Sequence, residues 1–268
     1  MTFRKWAAIG LALLLPTAAS AHRTWLLPSS TVLSGDDMWV SVDAAASNEL
    51  FYFDHNAMGL EDLAVTAPDG SSVEAQHQNK GRYRSTFDVQ LTQQGTYKLS
   101  IDGGGLAGTY MLNGERKRWR GPASEMASLI PQGATDVEIM ENYRRIDTFV
   151  TLGAPSETAI APSKKGLEFA YDTHPNDLFA GETAKFRLLM NGKPMPGVEV
   201  SIIPGGNRYR DELNEVKVVT GKDGGFEATW PEPGMYWLNA EIRDEKTSVK
   251  NAKTRRASYT VTLEVLPQ

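Results

Sequence analysis

Short apolar alternations, broken at regular intervals by glycine, proline or Asp-Gly, run through most of the chain. In the first third, Met38, Val40 and Val42 alternate within DDMWVSVDAAA, and LFYFD forms a compact aromatic run. LAVTAPDGSSVEAQ carries its alternation across Pro68-Asp69-Gly70, which is turn chemistry between strands. GRYRSTFDVQL and GTYKLSIDGGG follow, each opened by a glycine. Strands of this length with regular turn signals predict a β-sandwich over residues 22–112.

The middle, residues 113–163, reads differently. Pro122 to Ile130 and Asp136 to Arg145 each predict a short helix, the second with Val137, Ile139, Met140 and Tyr143 as its apolar face. IDTFVTLG then alternates as a strand. The segment is too rich in Trp, Met, Ile and Tyr for disorder, so it predicts an ordered connector with short helices.

The last third, residues 164–268, returns to strands. TAKFRLLMNGKPMPGVEVSIIPGG holds two, and NEVKVVTGKDGGFEATWPEPGMYWLNAEI holds three joined by TGKDGG and PEPG. ASYTVTLEVL closes the chain with Tyr259, Val261, Leu263 and Val265 on one face and Thr260, Thr262 and Glu264 on the other. TYKLSI in the first sandwich resembles the penultimate strand of an immunoglobulin-like domain. The run from Gly181 to Ala240, with NGKPMPG, GKDGGF and PEPGMYW, resembles the carboxypeptidase-regulatory and transthyretin-like modules. The expected fold is therefore all-β: two immunoglobulin-like or transthyretin-like sandwiches and a short helical connector. Such modules are platforms and imply no chemistry of their own.

The start of the chain adds a cell-biological expectation. Arg4 and Lys5, the apolar run WAAIGLALLLPTAA and the small residues Ala19-Ser20-Ala21 predict a cleaved secretory signal over residues 1–21. Its apolar run is short for a span and Pro16 interrupts it, and no later stretch is apolar for long enough to cross a bilayer. The expectation is an exported, periplasmic protein with no membrane span after signal removal. The formal charge of −5 becomes −7 without Arg4 and Lys5, which argues against nucleic acid as partner. There is no cysteine, so disulfides, thiolate nucleophiles and thiolate metal cages are excluded.

Cutting after Ala21 makes His22 the first residue. Its α-amine and imidazole then chelate one ion, and a second imidazole completes a T-shaped site suited to a late transition metal. His55, beside Asp54, and His174, with Asp172 two residues before it, both sit at predicted strand-to-loop transitions where sites concentrate. His22, His55 and His174 are the candidate metal ligands, with Asp54 and Asp172 as carboxylates that would widen the choice among cobalt, nickel, copper, iron and zinc. Trp25 and Leu27 are expected to anchor His22 by packing into the first sandwich. His77 reads as a solvated loop residue. ERKRWR (115–120) and YRR (143–145) are basic segments that would either clamp a carboxylate-bearing ligand or form a solvated face. No nucleophile elbow, nucleotide-binding loop or paired-carboxylate motif is present, so no catalytic residue is assigned and the chain reads as a non-enzyme.

AHRTWLLPSSTVLSGD, FYFDHNAMGLEDLAVTAPDG, EFAYDTHPNDLFAGE and the final module together resemble a family of exported bacterial proteins. That family is described as the periplasmic component of a cobalt or nickel uptake system. The resemblance implies transition-metal transport, with a metal transporter or outer-membrane receptor system as partner, and its motif histidines map to His22, His55 and His174. A different class of reading is an envelope scaffold or adhesion-like module that binds a protein or glycan through its loops. A third, copper-dependent oxidation, needs an open metal position and a flat substrate face that the sequence does not show.

Overall fold

The computed structural model describes residues 22–268; the expected signal, residues 1–21, lies outside the described residues. The first strands are β1 (Arg23–Pro28), β2 (Val32–Leu33), β3 (Met38–Ser47), β4 (Asn56–Ala57), β5 (Leu63–Thr66), β6 (Ser72–Val73), β7 (Gln76–Lys80) and β8 (Ser85–Leu91). Then come the long β9 (Gly95–Leu112), β10 (Glu115–Gly121), the one-turn helix α1 (Met126–Leu129) and the long β11 (Thr135–Leu152). The chain closes with β12 (Leu167–Tyr171), β13 (Thr183–Met190), β14 (Lys193–Pro194), β15 (Glu199–Pro204), β16 (Val216–Val219), β17 (Gly225–Thr229), β18 (Gly234–Asp244) and β19 (Thr254–Val265).

Three sheets form among the described residues. A ten-stranded sheet runs β16-β15-β18-β19-β11-β9-β5-β6, with β10 on β9 and β2 on β11. One smaller sheet is β1-β3-β8-β7 with β4 on β3, and another is β12-β13-β14 with β17 on β13. The large sheet is shared by two cores. On β11, Ile146, Val150 and Leu152 enter a core with Val40, Phe87 and Tyr97, while Phe149 enters one with Phe186, Trp230 and Val261. Successive strand residues point to opposite faces, so the two small sheets cover opposite faces of the large one. The result is an all-β sandwich fold.

Three sequence expectations change. Asp136–Arg145 is part of β11, not a helix, and only Met126–Leu129, with a 3-10 turn at Ala123–Glu125, is helical in this region. The same residues fit both periods: Val137, Ile139, Glu141 and Tyr143 also alternate. The strand wins because β11 lies between β9 and β19, and Ile139 packs with Leu106 and Trp119. LFYFD is an irregular turn with Phe51 at φ 58°, and its Phe51 and Phe53 rings pack against Trp25. Finally, Trp25 and Leu27 do not enter the first core. They pack with Leu50, Ile203 and Trp237, against strands β15 and β18, and it is Leu26 that enters the first core.

β11 is buried on both faces from Arg145 to Leu152, the burial pattern of a central strand. Arg145 lies within it as a buried cation. Nη1 donates to Glu168 Oε2 and Ser163 Oγ, both at 2.9 Å, and Nη2 donates to Asp102 Oδ2 at 2.7 Å. Glu168 also accepts the Ser163 and Lys164 backbone N–H groups at 2.9 and 2.7 Å. The pair therefore ties β11 to β12 with its polar atoms satisfied. Among the described residues no helix is long and apolar enough to cross a membrane.

Candidate metal site and an adjoining basic groove

The far end of β3 positions two of the four histidines. β3 carries β1 on one edge, with Thr24 opposite Ala46, and β4 on the other, with Asn56 opposite Ala46. His22 and His55 each stand one residue before those edge strands, so they approach one another across the Ser47–Asn48 end of β3. Their rings stack with centroids 3.4 Å apart and planes within 10°. His22 is exposed and His55 half-buried.

The turn beneath them is clamped. Asp54 Oδ1 accepts the Asn48 backbone N–H at 2.9 Å, and Arg23 Nη1 donates to the Asn48 carbonyl at 3.0 Å. Trp25 Nε1 donates to Ser47 Oγ at 2.8 Å, and Trp237 Nε1 donates to the Thr24 carbonyl at 3.0 Å. Two tryptophans thus fix β1 immediately after His22, which is the anchoring role expected of Trp25, delivered through packing against β15 and β18 in place of the first core. Asp54 acts here on the backbone rather than on a histidine ring.

His174 belongs elsewhere. Its Nδ1 accepts the Asn176 backbone N–H at 3.1 Å, which leaves Nε2 to carry the proton and donate to Thr96 Oγ1 at 3.0 Å, with the Ser156 carbonyl at 3.4 Å. Thr96 Oγ1 also accepts from Ser156 N at 3.1 Å and meets Thr151 Oγ1 at 2.9 Å. Thr151 Oγ1 donates to Asn176 Oδ1 at 2.9 Å, and Asn176 Nδ2 donates to the Phe149 carbonyl at 3.1 Å. This network joins β9, β11 and the loop after β12, and it uses both ring nitrogens. Burial pulls the His174 pKa down, against the opposing pull of Ser156, Glu157 and Asp177. Asp172 is likewise occupied, accepting from Arg187 Nη2 at 2.7 Å.

The expected trio with two carboxylates therefore reduces to a pair, His22 and His55. No cluster of three or more His, Cys, Asp or Glu side chains placed to hold one ion occurs among the described residues. The pair supplies two imidazole nitrogens, a donor type that suits late first-row ions. With the ring planes nearly parallel their in-plane lone pairs do not converge, so one ring must turn about its χ angles to share an ion with the other. His22, exposed and ahead of β1, is free of side-chain hydrogen bonds among the described residues. His77, read as a loop residue, lies in β7 with φ 49°, and its Nδ1 is 2.8 Å from Asp88 Oδ2.

His22 also lines one end of a groove of about 1360 Å³ over the uncovered part of the large sheet. Its floor comes from β9, β10, β11 and β19. Gly103 pairs with Arg144 and Ala107 with Met140 across β9–β11, while Ala107 pairs with Arg120 across β9–β10. Arg256 pairs with Asn142 across β11–β19. By the alternation of each strand, Arg118, Arg120, Arg144 and Arg256 share this face. Sequence reasoning flagged the 115–120 and 143–145 segments separately and missed Arg256 and Lys253; the signal available was the alternation of Thr254, Arg256 and Ser258 along β19.

Comparison with known proteins adds family and little else. No curated protein matches the chain. Among solved structures, the D0-D1 domain of intimin aligns at 12% identity, over 89% of this chain and 96% of that one, with a TM-score of 0.22. A DUF4785 family protein from Legionella pneumophila aligns at 8% identity over 80% and 50% of the two chains (TM-score 0.24). Trypsin-activated alpha-2-macroglobulin from Escherichia coli aligns at 13% over 90% and 16% (TM-score 0.22). At such scores these likenesses carry no argument about this chain. Residues 19–244 match the family described as a domain of unknown function, DUF4198, and the chain belongs to that family.

Proposed function

We propose that the processed protein is an exported, periplasmic transition-metal carrier, its ion held by the His22 α-amine, the His22 imidazole and the His55 imidazole. The observation that supports this most is the juxtaposition of the two rings, centroids 3.4 Å apart, beside a turn clamped from both edges of β3. A three-nitrogen set without a thiolate favours ions late in the first row, so copper(II) and nickel(II) should bind ahead of cobalt(II). The metal is cargo: the protein would pass it to a transporter or outer-membrane receptor system, in line with the uptake role its sequence resemblance implies. Both imidazoles and the amine must be deprotonated to bind, so affinity falls as pH drops.

Titration calorimetry on protein whose first residue is His22 tests the reading. His55→Ala should weaken copper(II) and nickel(II) binding by roughly a hundredfold, one ligand's share of a multi-ligand binding energy. His174→Ala should leave metal affinity unchanged. Equal affinity in wild type and His55→Ala would remove the basis of the proposal.

A further inference from the structure

The groove beside the histidines is cationic on an acidic protein. Its walls carry Arg23, Arg118, Arg120, Arg144, Lys253 and Arg256 against Asp62, Glu138 and Glu241, although the whole chain has a formal charge of −5. Two of the three carboxylates are engaged: Glu241 with Arg243 and Arg256, and Glu138 with Arg116 and Thr109. Among the described residues, Arg118, Arg120 and Arg144 make no ion pair.

The cluster is held open by the strand between its members. β9 contributes Gly103, Gly105 and Ala107 to the floor, so no long side chain separates β10 from β11. A Cβ on Gly103 would stand 3.8 Å from Arg144 Nη2 and 3.3 Å from Asp62 Oδ2, so the glycine gives the guanidinium room to lie over the strand. Partial burial lowers the Arg144 pKa; Asp62 opposes this, and the guanidinium groups of Arg120 and Arg256 add to it. Arg120 and Arg144 thus stand near one another and near Arg256 with no ion pair of their own, while Arg256 is held by Glu241; that crowding costs free energy that an anionic ligand would return.

We propose that this groove binds a small polycarboxylate, whose separate carboxylates pair with the guanidinium forks of Arg120 and Arg144. Charge complementarity supplies the class, because planar forks match carboxylates bidentately. The spacing supplies the multiplicity: Arg118 and Arg120 stand on β10, Arg144 on β11 and Arg256 on β19, so the positive charge is spread over three strands. A single phosphate is a poorer match. Phosphate sites gather backbone N–H groups at helix ends or in glycine loops, whereas Gly103, Gly105 and Ala107 sit within the β9 ladders. The proposal stands without the metal reading, although His22 at the groove's end would bring a bound ligand near the histidine pair.

The test is calorimetric titration of metal-free protein with tricarballylate, a tricarboxylate that chelates metals weakly, at low ionic strength, with inorganic phosphate as the second titrant. Arg120→Gln and Arg144→Gln should each weaken tricarballylate about tenfold, the scale of one charge-assisted pair. Both side chains reach solvent in the groove and make no ion pair among the described residues, so the variants should keep the wild-type melting temperature. Arg187→Gln, which removes one positive charge from β13, should leave binding unchanged. The proposal is overturned by absent tricarballylate binding, by unchanged affinity in both groove variants, or by phosphate binding as tightly at the same arginines.

Discussion

His174 is the position at which a ligand role and a packing role make opposite predictions. Replacing it by alanine removes the acceptor for the Asn176 N–H, 3.1 Å away, and the donor to Thr96 Oγ1, 3.0 Å away. Each net hydrogen bond contributes about 1 kcal/mol, and a half-buried N–H left without a partner adds about 1 kcal/mol more. The expected loss is therefore about 2–3 kcal/mol, or a fall of roughly 5–10 °C in melting temperature for a protein of this size. His174→Asn, whose side-chain oxygen can stand near the place of Nδ1, should recover about half. The pH dependence has a definite sign. His174 has its pKa lowered in the folded state from the ordinary 6.5, so the unfolded chain takes up its proton first as pH falls. Its contribution is fully present above about pH 6.5 and is lost as pH falls through the lower, folded-state pKa. Urea denaturation at several pH values, on wild type and His174→Ala, reads both effects. A variant as stable as wild type, or one that binds copper(II) tenfold more weakly without losing stability, would refute the packing role.

Three further outcomes follow from the same structure. Arg145→Leu or Glu168→Ala should each cost about 3–5 kcal/mol in urea denaturation, because either change strands a buried charge. Gly108→Ala should destabilise by about 1–3 kcal/mol, since its Cβ would fall 1.9 Å from the Glu138 carbonyl oxygen, and amide exchange should rise first along the β9–β11 pairing around it. Trp25→Ala should cost about 3–5 kcal/mol by the loss of a fully buried ring, and it should also weaken metal binding, because Trp25 fixes the strand that carries His22.

Much of the strand order could be read from alternation, where one face is solvated. β13, β15, β17 and β18 fall where the patterned runs and the TGKDGG and PEPG turns put them. Alternation said less about strands covered on both sides. Thr260 and Thr262, assigned to an outer face, are buried, because β19 runs through the middle of the shared sheet. The helix expected at Asp136–Arg145 failed for a related reason: a strand with polar residues facing the groove and Glu141 buried beside Ser248 imitates a helical stripe. At the site, sequence put forward His22 for its place after the expected cut and His55 and His174 for their strand-to-loop positions, and the structure brings only His22 and His55 together. Sequence could not show that Asn176 and Thr96 occupy His174, since those contacts join residues 78 positions apart and two positions apart in one knot. Arg256 escaped notice because its neighbours in the groove come from strands far away in sequence.

The central claim is that His22 contributes two nitrogens and His55 one. Electron paramagnetic resonance of the protein loaded with one equivalent of copper(II) tests it directly, comparing a preparation that begins at His22 with one carrying a single extra residue before it. The predicted result is nitrogen hyperfine structure from three nitrogens in the first preparation, reduced in the second and again in His55→Ala. Identical spectra from both N-termini, or a spectrum indifferent to His55, would contradict it.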